Sequence, residues 1–145
     1  MILFDKNVFH LKTDHYSYLF RVNDRGILEH LHFGAPVAVA DAEAFACKPG
    51  TGWGSSVNYD TDGTCLDILP LEWSGSGRGD YRESPLSFGE TSADVRYHSH
   101  EILTGTAPMT TSLPQAVDGG ETLAITMKQP GAELTLYFTV FETAM

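Results

Sequence analysis

Apolar and polar residues alternate along several stretches of this chain. Residues 16–22 form one alternating run, and residues 27–33 form a second, with Asn-Asp-Arg-Gly between them. A repeat of two residues is typical of a strand that buries one face, and four turn-forming residues between two such runs favour a β-hairpin. The second run ends at Gly34, shortly before Pro36, so we expect the returning strand to end there.

Further strands are predicted from the same pattern at residues 9–11, 93–103, 122–128 and 133–142, and around 109–113. In the last strand, every second residue is apolar and is expected to face one side: Leu134, Leu136, Phe138 and Val140. The alanine-rich residues 35–47 fit a helical turn or an edge strand equally well. Residues 48–66 and 74–82 are polar and rich in glycine, which favours loops.

Short strands with turns between them, and no helix of more than a few turns, predict an all-β fold. We expect one domain over residues 1–145, built as an antiparallel β-sandwich. The chain stops at Met145 directly after an apolar strand. We interpret this as a boundary inside a larger fold, which would make the chain an incomplete amino-terminal portion.

The charge of the chain limits its partners. Nineteen acidic and nine basic residues give a net charge of −10. Such a surface repels nucleic-acid phosphates and anionic lipid head groups, so neither a nucleic-acid nor a membrane partner is expected. The amino end has no secretory apolar segment, and two cysteines make no disulfide framework, so we expect a cytoplasmic protein with reduced thiols.

Four of the six histidines form two His-x-His pairs, His30/His32 and His98/His100. Residues two apart on a regular strand share a face, so each pair could offer two imidazoles to one zinc ion. The alternative is that these histidines face outward or are hydrogen-bonded in the fold. We favour the alternative and predict no metal and no cofactor.

Six carboxylates lie in one irregular region: Asp60, Asp62, Asp67, Glu72, Asp80 and Glu83. A retaining glycosidase needs two carboxyl groups about 5–5.5 Å apart, and closeness in sequence does not establish that geometry. The alternative is that these side chains hold loops in place, for example through an ion pair of Arg82 with Asp67 or Asp80. We favour this alternative and predict no catalytic residue.

Two tryptophans are candidates for contact with sugar, because flat aromatic faces stack on the apolar face of a pyranose. Trp53 lies in a glycine-rich loop and is our candidate substrate-binding residue. Trp73 follows an apolar run, and we expect it in the core.

Taken together, the motifs resemble the amino-terminal part of the family 36 glycoside hydrolases, which are α-galactosidases. Residues 72–86 are similar to that family's Glu-aromatic…Gly-x-Gly-Asp-aromatic-Arg-x-Pro segment, and Ser17-Tyr18 followed by residues 26–34 is similar to its first hairpin. The order and spacing of the motifs hold from about residue 7 to residue 142. On this resemblance we expect structural roles for the motif residues Asp67, Glu72, Asp80, Arg82 and His100.

The resemblance implies an amino-terminal β-supersandwich, followed in family members by a (β/α)₈ barrel that carries both catalytic aspartates. That barrel hydrolyses terminal α-galactosides of the melibiose and raffinose type with retention of configuration. The chain would then be a non-catalytic domain without the barrel, and the full-length enzyme would be a homo-oligomer. In some members a loop of this domain reaches the sugar site of a neighbouring subunit, and by position that loop would be residues 47–64.

Two other functions compete with this interpretation. A free-standing galactoside-binding sandwich would use Trp53, Trp73 and tyrosines as its platform. A metal-dependent sugar enzyme would use the two His-x-His pairs, but no glutamate closely follows His32, so that pattern is incomplete.

Overall fold

The computed structural model describes residues 1–46, 66, 68–75, 86, 93–107 and 119–145, and the backbone of residues 58–59, 64–65, 76 and 79–80. The seven longer strands are β1 (Ile2–Asp5), β2 (Val8–Lys12), β3 (Ser17–Val22), β4 (Leu28–Gly34), β9 (Arg96–Thr104), β10 (Glu121–Gln129) and β11 (Ala132–Val140). Four two-residue strands lie between them: β5 (Asn58–Tyr59), β6 (Thr64–Cys65), β7 (Gly75–Ser76) and β8 (Gly79–Asp80). The strand predicted around residues 109–113, and most of the loop predicted at 48–66, lie outside the described residues.

The longer strands form two antiparallel sheets. Strands β1 to β4 make a four-stranded meander, and the second sheet has the order β11-β10-β9. The predicted hairpin is confirmed as β3 and β4, and its turn is held by the side chain of Asn23. That side chain accepts hydrogen bonds from the backbone N–H groups of Arg25 and Ile27, at 3.0 and 3.1 Å.

Strand β1 has no counterpart among the predicted strands. It returns into β2 through Lys6 and Asn7, which both have positive φ angles, of 48° and 66°. Only Ile2 of its four residues is buried. The strand is too short and too exposed to give an alternating pattern that identifies it in the sequence.

The two sheets pack face to face and form one apolar core, which confirms the all-β sandwich. Phe9 and Phe20 of the first sheet are fully buried, and so are Leu123 and Ile125 of β10. The ring centroids of Phe20 and Phe138, from opposite sheets, lie 5.2 Å apart. The alternation predicted for the last strand is confirmed, since Leu134, Leu136, Phe138 and Val140 all belong to this core.

The outer face of the first sheet is covered by the segment that follows β4. This segment contains a short 3₁₀ turn, Val39–Asp41, and one α-helical turn, α1 (Ala42–Phe45), so the helical alternative for this region is the one observed. Ala42 packs against Val8, Leu19 and Leu31 in a second, smaller apolar cluster.

The expectation that each His-x-His pair shares one face is wrong, because a β-bulge interrupts each pair. In β4, His30 is opposite Phe20 and His32 is opposite Leu19, so two residues of β3 face three of β4. In β9, the register with β10 passes from Ser99 to Tyr97 and omits His98. A bulge adds one residue to one strand and so breaks the two-residue repeat.

In the part of the chain that the structure describes, no helix is long and apolar enough to cross a membrane.

Candidate functional site

A groove of about 610 Å³ opens between the two sheets beside β11. Among the described strands, β11 packs over β3 and none lies above the inner face of β4. As a result, Phe33 of β4 keeps 60% of its surface exposed. The residues that line the groove are mostly apolar or aromatic: Leu11, Tyr18, His30, Phe33, Tyr137, Phe138, Thr139 and Met145.

Two of these lining residues, Tyr18 and His30, meet the carboxylate of Glu72. The hydroxyl of Tyr18 donates a hydrogen bond to Oε2 of Glu72, and Nδ1 of His30 lies 2.9 Å from Oε1. Only 7% of the Glu72 side chain is exposed. Both oxygens of this nearly buried carboxylate are therefore occupied by side chains of the same chain.

Backbone pairing holds Glu72 in this position. The N–H of Glu72 donates to the carbonyl of Leu28 at 3.1 Å, and the N–H of His30 donates to the carbonyl of Pro70 at 2.7 Å. Leu71 forms a β-bridge with Glu29 between these bonds. The segment just before the glycine-rich motif thus extends the edge of β4 and places Glu72 under Tyr18 and His30.

The protonation of Tyr18 is fixed by its surroundings. Burial raises the pKa of Tyr18 well above its usual value, and the hydrogen bond to Glu72 and the charge of that carboxylate raise it further. Tyr18 therefore stays a hydrogen-bond donor at physiological pH. The hydroxyl of Tyr18 and the carboxylate of Glu72 are hydrogen-bonded to each other, so the cluster serves to hold the two segments together.

The carboxylate of Glu29, which is fully buried, lies on the opposite face of β4. Its Oε2 is 2.9 Å from Nε of Arg21, which also reaches Glu43 at 3.3 Å. Oε1 of Glu29 is buried and has no hydrogen-bond partner among the described residues. The described lining of the groove contains no Asp or Glu side chain.

His100 is half-buried and packs on rings of the first sheet. Its ring packs on Phe4 and Phe9, with centroid distances of 4.3 and 4.9 Å, and its Nδ1 is 2.8 Å from the hydroxyl of Tyr97. Burial lowers the pKa of His100 and raises that of Tyr97. Of the predicted motif residues, Glu72 and His100 both have described side chains, and they occupy separate places.

The remaining predicted residues are not brought into the site by described contacts. Trp53, Asp67, Arg82 and the side chain of Asp80 lie outside the described residues. Trp73 packs against the main core, as expected, and its Nε1 is buried without a partner among the described residues. No three His, Cys, Asp or Glu side chains of the described part of the chain lie close enough to hold a metal ion.

Tyr18 was not predicted to bind Glu72. The favoured alternative for His30, a histidine that faces outward or is hydrogen-bonded in the fold, agrees with its bond to Glu72. Tyr18 and His30 are 54 and 42 residues away from Glu72 in the sequence, so no short sequence motif contains the cluster. The available signal was the placement of Tyr18 on the apolar face of its strand, where a hydroxyl needs a partner.

Gly75 explains part of the glycine-rich motif. A Cβ atom at this position would lie 1.7 Å from the carbonyl oxygen of Ala93. The close approach brings the motif against the residues just before β9, and it excludes every side chain at position 75.

Comparison with known proteins identifies the family. The sequence model of the Glycosyl hydrolase family 36 N-terminal domain matches residues 26–144. The chain is 32% identical, over 146 residues, to the α-galactosidase AgaA of Geobacillus stearothermophilus, covering 92% of this chain and 20% of AgaA. It is 28% identical, over 155 residues, to the α-galactosidase Mel36A of Lactobacillus acidophilus, covering 97% of this chain and 21% of Mel36A.

Solved structures give the same result. The galactosidase domain of the α-galactosidase–sucrose kinase AgaSK superposes with a TM-score of 0.82 at 27% identity, covering 99% of this chain and 21% of that one. A variant of AgaA in complex with raffinose superposes with a TM-score of 0.79 at 29% identity, covering 93% of this chain and 20% of that one. The chain thus spans about a fifth of the length of these relatives. On these matches, the chain belongs to glycosyl hydrolase family 36 and corresponds to the amino-terminal domain of its α-galactosidases.

Proposed function

We propose that this chain is the non-catalytic amino-terminal domain of an enzyme that hydrolyses terminal α-D-galactosides of the melibiose and raffinose type with retention. The observation that carries the proposal is the match of residues 26–144 to the family's amino-terminal domain. Catalysis is assigned to a (β/α)₈ barrel outside this chain, and no cofactor is required. The raffinose and stachyose complexes of AgaA variants support this class of substrate.

The described residues support a structural role. The described lining of the groove has no Asp or Glu side chain, and Glu72 is bonded through both oxygens to Tyr18 and His30. The domain would contribute a rigid sandwich to the enzyme and a surface on which the remainder of the protein packs.

The proposal is tested by size and activity. An antibody raised against residues 1–145 should detect a product several times heavier than 15.9 kDa in the source cells. That product should hydrolyse 4-nitrophenyl α-galactoside, whereas residues 1–145 alone should not. A native band at 15.9 kDa, or turnover by the short chain that is lost when its own carboxylates are replaced, contradicts the proposal.

Location and assembly are part of the same proposal. We also propose a cytoplasmic location for this enzyme. We further propose that the complete enzyme is a homo-oligomer. Cell fractionation with assay of the enzyme tests the location, and light scattering of the purified complete protein tests the assembly.

Trp53 is proposed to contact the sugar from the loop at 47–64. The support is chemical, since an indole in a glycine-rich loop can stack on a pyranose ring. Trp53→Ala in the complete enzyme should raise KM for raffinose while leaving the fold intact. An unchanged KM, with wild-type stability, would remove this role.

A free-standing galactoside-binding module is the second candidate, and the aromatic groove favours it. A volume of about 610 Å³ lies within the range of small-molecule sites. Against it, Tyr18 and His30 already use polar atoms to bind Glu72, so few polar groups remain for sugar hydroxyls. Calorimetric titration of residues 1–145 with galactose, melibiose and raffinose separates the two candidates, because only a binding module should give saturable heat.

A further inference from the structure

A buried histidine lies on the outer face of the first sheet, which residues 35–46 cover. We refer to these residues as the cover segment. His10 of β2 is buried and is opposite Leu19 of β3. Leu19 belongs to the smaller apolar cluster, against which Val37 and Val39 of the cover segment pack. His10 therefore faces the side of the sheet on which the cover segment is docked.

Hydrogen bonds through Ser17 join His10 to the cover segment. The backbone N–H of Val37 donates to Oγ of Ser17 at 3.1 Å. Nε2 of His10 lies 2.9 Å from the same oxygen, and Ser17 is fully buried. Because this oxygen already accepts from Val37, the hydroxyl proton of Ser17 is free to be donated to Nε2 of a neutral His10. The neutral imidazole thus completes a chain of two hydrogen bonds that ends on the cover segment.

Protonation of His10 disrupts this chain. An imidazolium carries a proton on both ring nitrogens, so Nε2 can then only donate to Ser17. The hydroxyl proton of Ser17 loses this acceptor at a buried position, which costs free energy. The imidazolium charge must also be held away from water, which costs more.

Positive charges around His10 act in the same direction. Burial has the largest effect in lowering the pKa of His10. It is followed by the charges of Lys12 on the same strand, of His32 on β4, and of the amino terminus next to β1. Three neighbouring cationic groups therefore oppose a proton on His10.

The carboxylates on this side of the sheet do not compensate these charges. Glu29 of β4 and Glu43 of the cover segment both pair with Arg21 of β3. Asp5 of β1 and Asp41 of the cover segment are exposed. None of them is among the groups that shift the pKa of the buried histidine. Among the described residues, a proton at this position thus meets positive charge without a balancing carboxylate.

We propose that pH controls the docking of the cover segment, which stays on the first sheet while His10 is neutral and is released when His10 takes up a proton. Release uncovers three apolar side chains that are buried in the docked state, those of Val8, Leu19 and Leu31. The inference does not depend on the proposed function, because it uses only contacts within the domain.

The direction of the pH effect follows from the two states of His10. When the cover segment is released, His10 meets water and its pKa returns towards 6.5, so the released state binds protons more readily than the docked state. Docking is therefore fully stable above pH 6.5. It weakens as the pH falls through the lower pKa of His10 in the docked state.

Hydrogen exchange of the complete gene product at pH 7.5 and pH 5 tests the proposal, with exchange times adjusted for the intrinsic pH dependence of amide exchange. Peptides from residues 35–46 report the cover segment, and peptides from β10 are the internal control. We expect the protection of the cover segment to fall at least about threefold more than that of β10 at pH 5. A loss of protection no larger than that of β10 overturns the proposal.

Two histidine variants test whether His10 is the responsible group. His10→Gln places an uncharged amide near Ser17 that can still accept a hydroxyl proton, so the extra pH dependence of the cover segment should disappear. His15→Gln, at an exposed histidine, is the matched control and should retain it. An extra pH dependence that persists in His10→Gln would assign the change to another group and overturn the proposal.

Ser17→Ala tests the hydrogen-bond chain without changing a titratable group. The N–H of Val37 loses its acceptor, so the cover segment should exchange at least about fivefold faster than in the wild type at pH 7.5. Ser99→Ala, at an exposed serine of β9, is the control and should leave this exchange unchanged. Wild-type exchange of the cover segment in Ser17→Ala would overturn the proposal, whether or not His10→Gln folds.

Discussion

At the scale of single residues, Glu72 is notable because each of its two carboxylate oxygens has a side-chain partner. Its carboxylate is nearly buried, and a buried carboxylate is tolerated only when hydrogen bonds replace the lost water. Tyr18 and His30 supply those bonds from the first sheet. Glu72 thus joins the start of the glycine-rich motif to the hairpin of β3 and β4.

This role predicts coupled losses of stability. Tyr18→Phe and Glu72→Ala should each lower the free energy of unfolding by about 1–3 kcal/mol, since each leaves a buried polar group without its partner. The double variant should lose less than the sum, because the two side chains act on one interaction. Urea unfolding of the four proteins measures the coupling. Glu133→Ala is the control, since its exposed ion pair with Lys128 should contribute little. Strictly additive losses would contradict the coupling.

Two histidines predict how stability depends on pH. Burial lowers the pKa of His100, and burial followed by the charges of Lys12, His32 and the amino terminus lowers that of His10. In the unfolded chain both pKa values return to about 6.5, so the unfolded state binds more protons below that pH. Stability from these groups is therefore fully present above pH 6.5 and is lost as the pH falls through their folded pKa values.

The measurement is urea unfolding at pH 7.5 and pH 5.5. His100→Gln should make the free energy of unfolding less dependent on pH in this window, because one of the two imidazoles with a lowered pKa is removed. His98→Gln is the control, since His98 is exposed at the bulge of β9. An unchanged pH dependence in His100→Gln would contradict the assignment.

At the scale of elements, the two-residue repeat predicted the strands whose faces differ clearly in polarity. The four strands β3, β4, β10 and β11 were found within one or two residues of their bounds. The bulges at Leu31 and His98 were not predicted, because an inserted residue shows no anomaly until the partner strand and its register are known. The same limit applies to Tyr18 and Glu72, which come together only because residues 70–72 pair with the edge of β4.

The short strand β7 gives a prediction at this scale, based on two glycines with different constraints. Gly75→Ala places a Cβ atom 1.7 Å from the carbonyl oxygen of Ala93, so the backbone must move. We expect a loss of about 3 kcal/mol or more, a size that marks disruption of packing. At Gly131, φ is +81° but nothing lies within 4 Å of a Cβ atom. Gly131→Ala should therefore cost only the backbone strain, about 1–2 kcal/mol. Thermal unfolding compares the two, and equal losses would contradict the contact between β7 and Ala93.

At the scale of the whole molecule, the family could be recognised from sequence because its motifs are spread over both sheets in a fixed order. The groove could not, since it depends on how far one sheet extends past the other. No residue of β4 indicates that no described strand covers Phe33, while Phe20, on the neighbouring strand, is fully buried. The sequence therefore defines the parts of the sandwich, and the docking of the sheets determines which apolar surface stays open.

The shared core predicts that the two sheets unfold together. Phe20 is fully buried. Its ring centroid lies 5.0 Å from that of Phe9 in its own sheet and 5.2 Å from that of Phe138 in the other sheet. Phe20→Ala should lower the free energy of unfolding by about 3–5 kcal/mol, because it removes a large side chain from the contact between the sheets. Phe33→Ala, at an exposed ring of the same sheet, is the matched control and should cost much less in residues 1–145.

Urea unfolding followed by far-ultraviolet circular dichroism and by tryptophan fluorescence provides the test. Circular dichroism reports both sheets, and Trp73 packs against the core that they share. The two probes should give one coincident transition in the wild-type chain and in Phe20→Ala, shifted to lower urea in the variant. Two separate transitions would mean that the sheets are independent, and the sandwich core would then not be the interaction that holds this domain together.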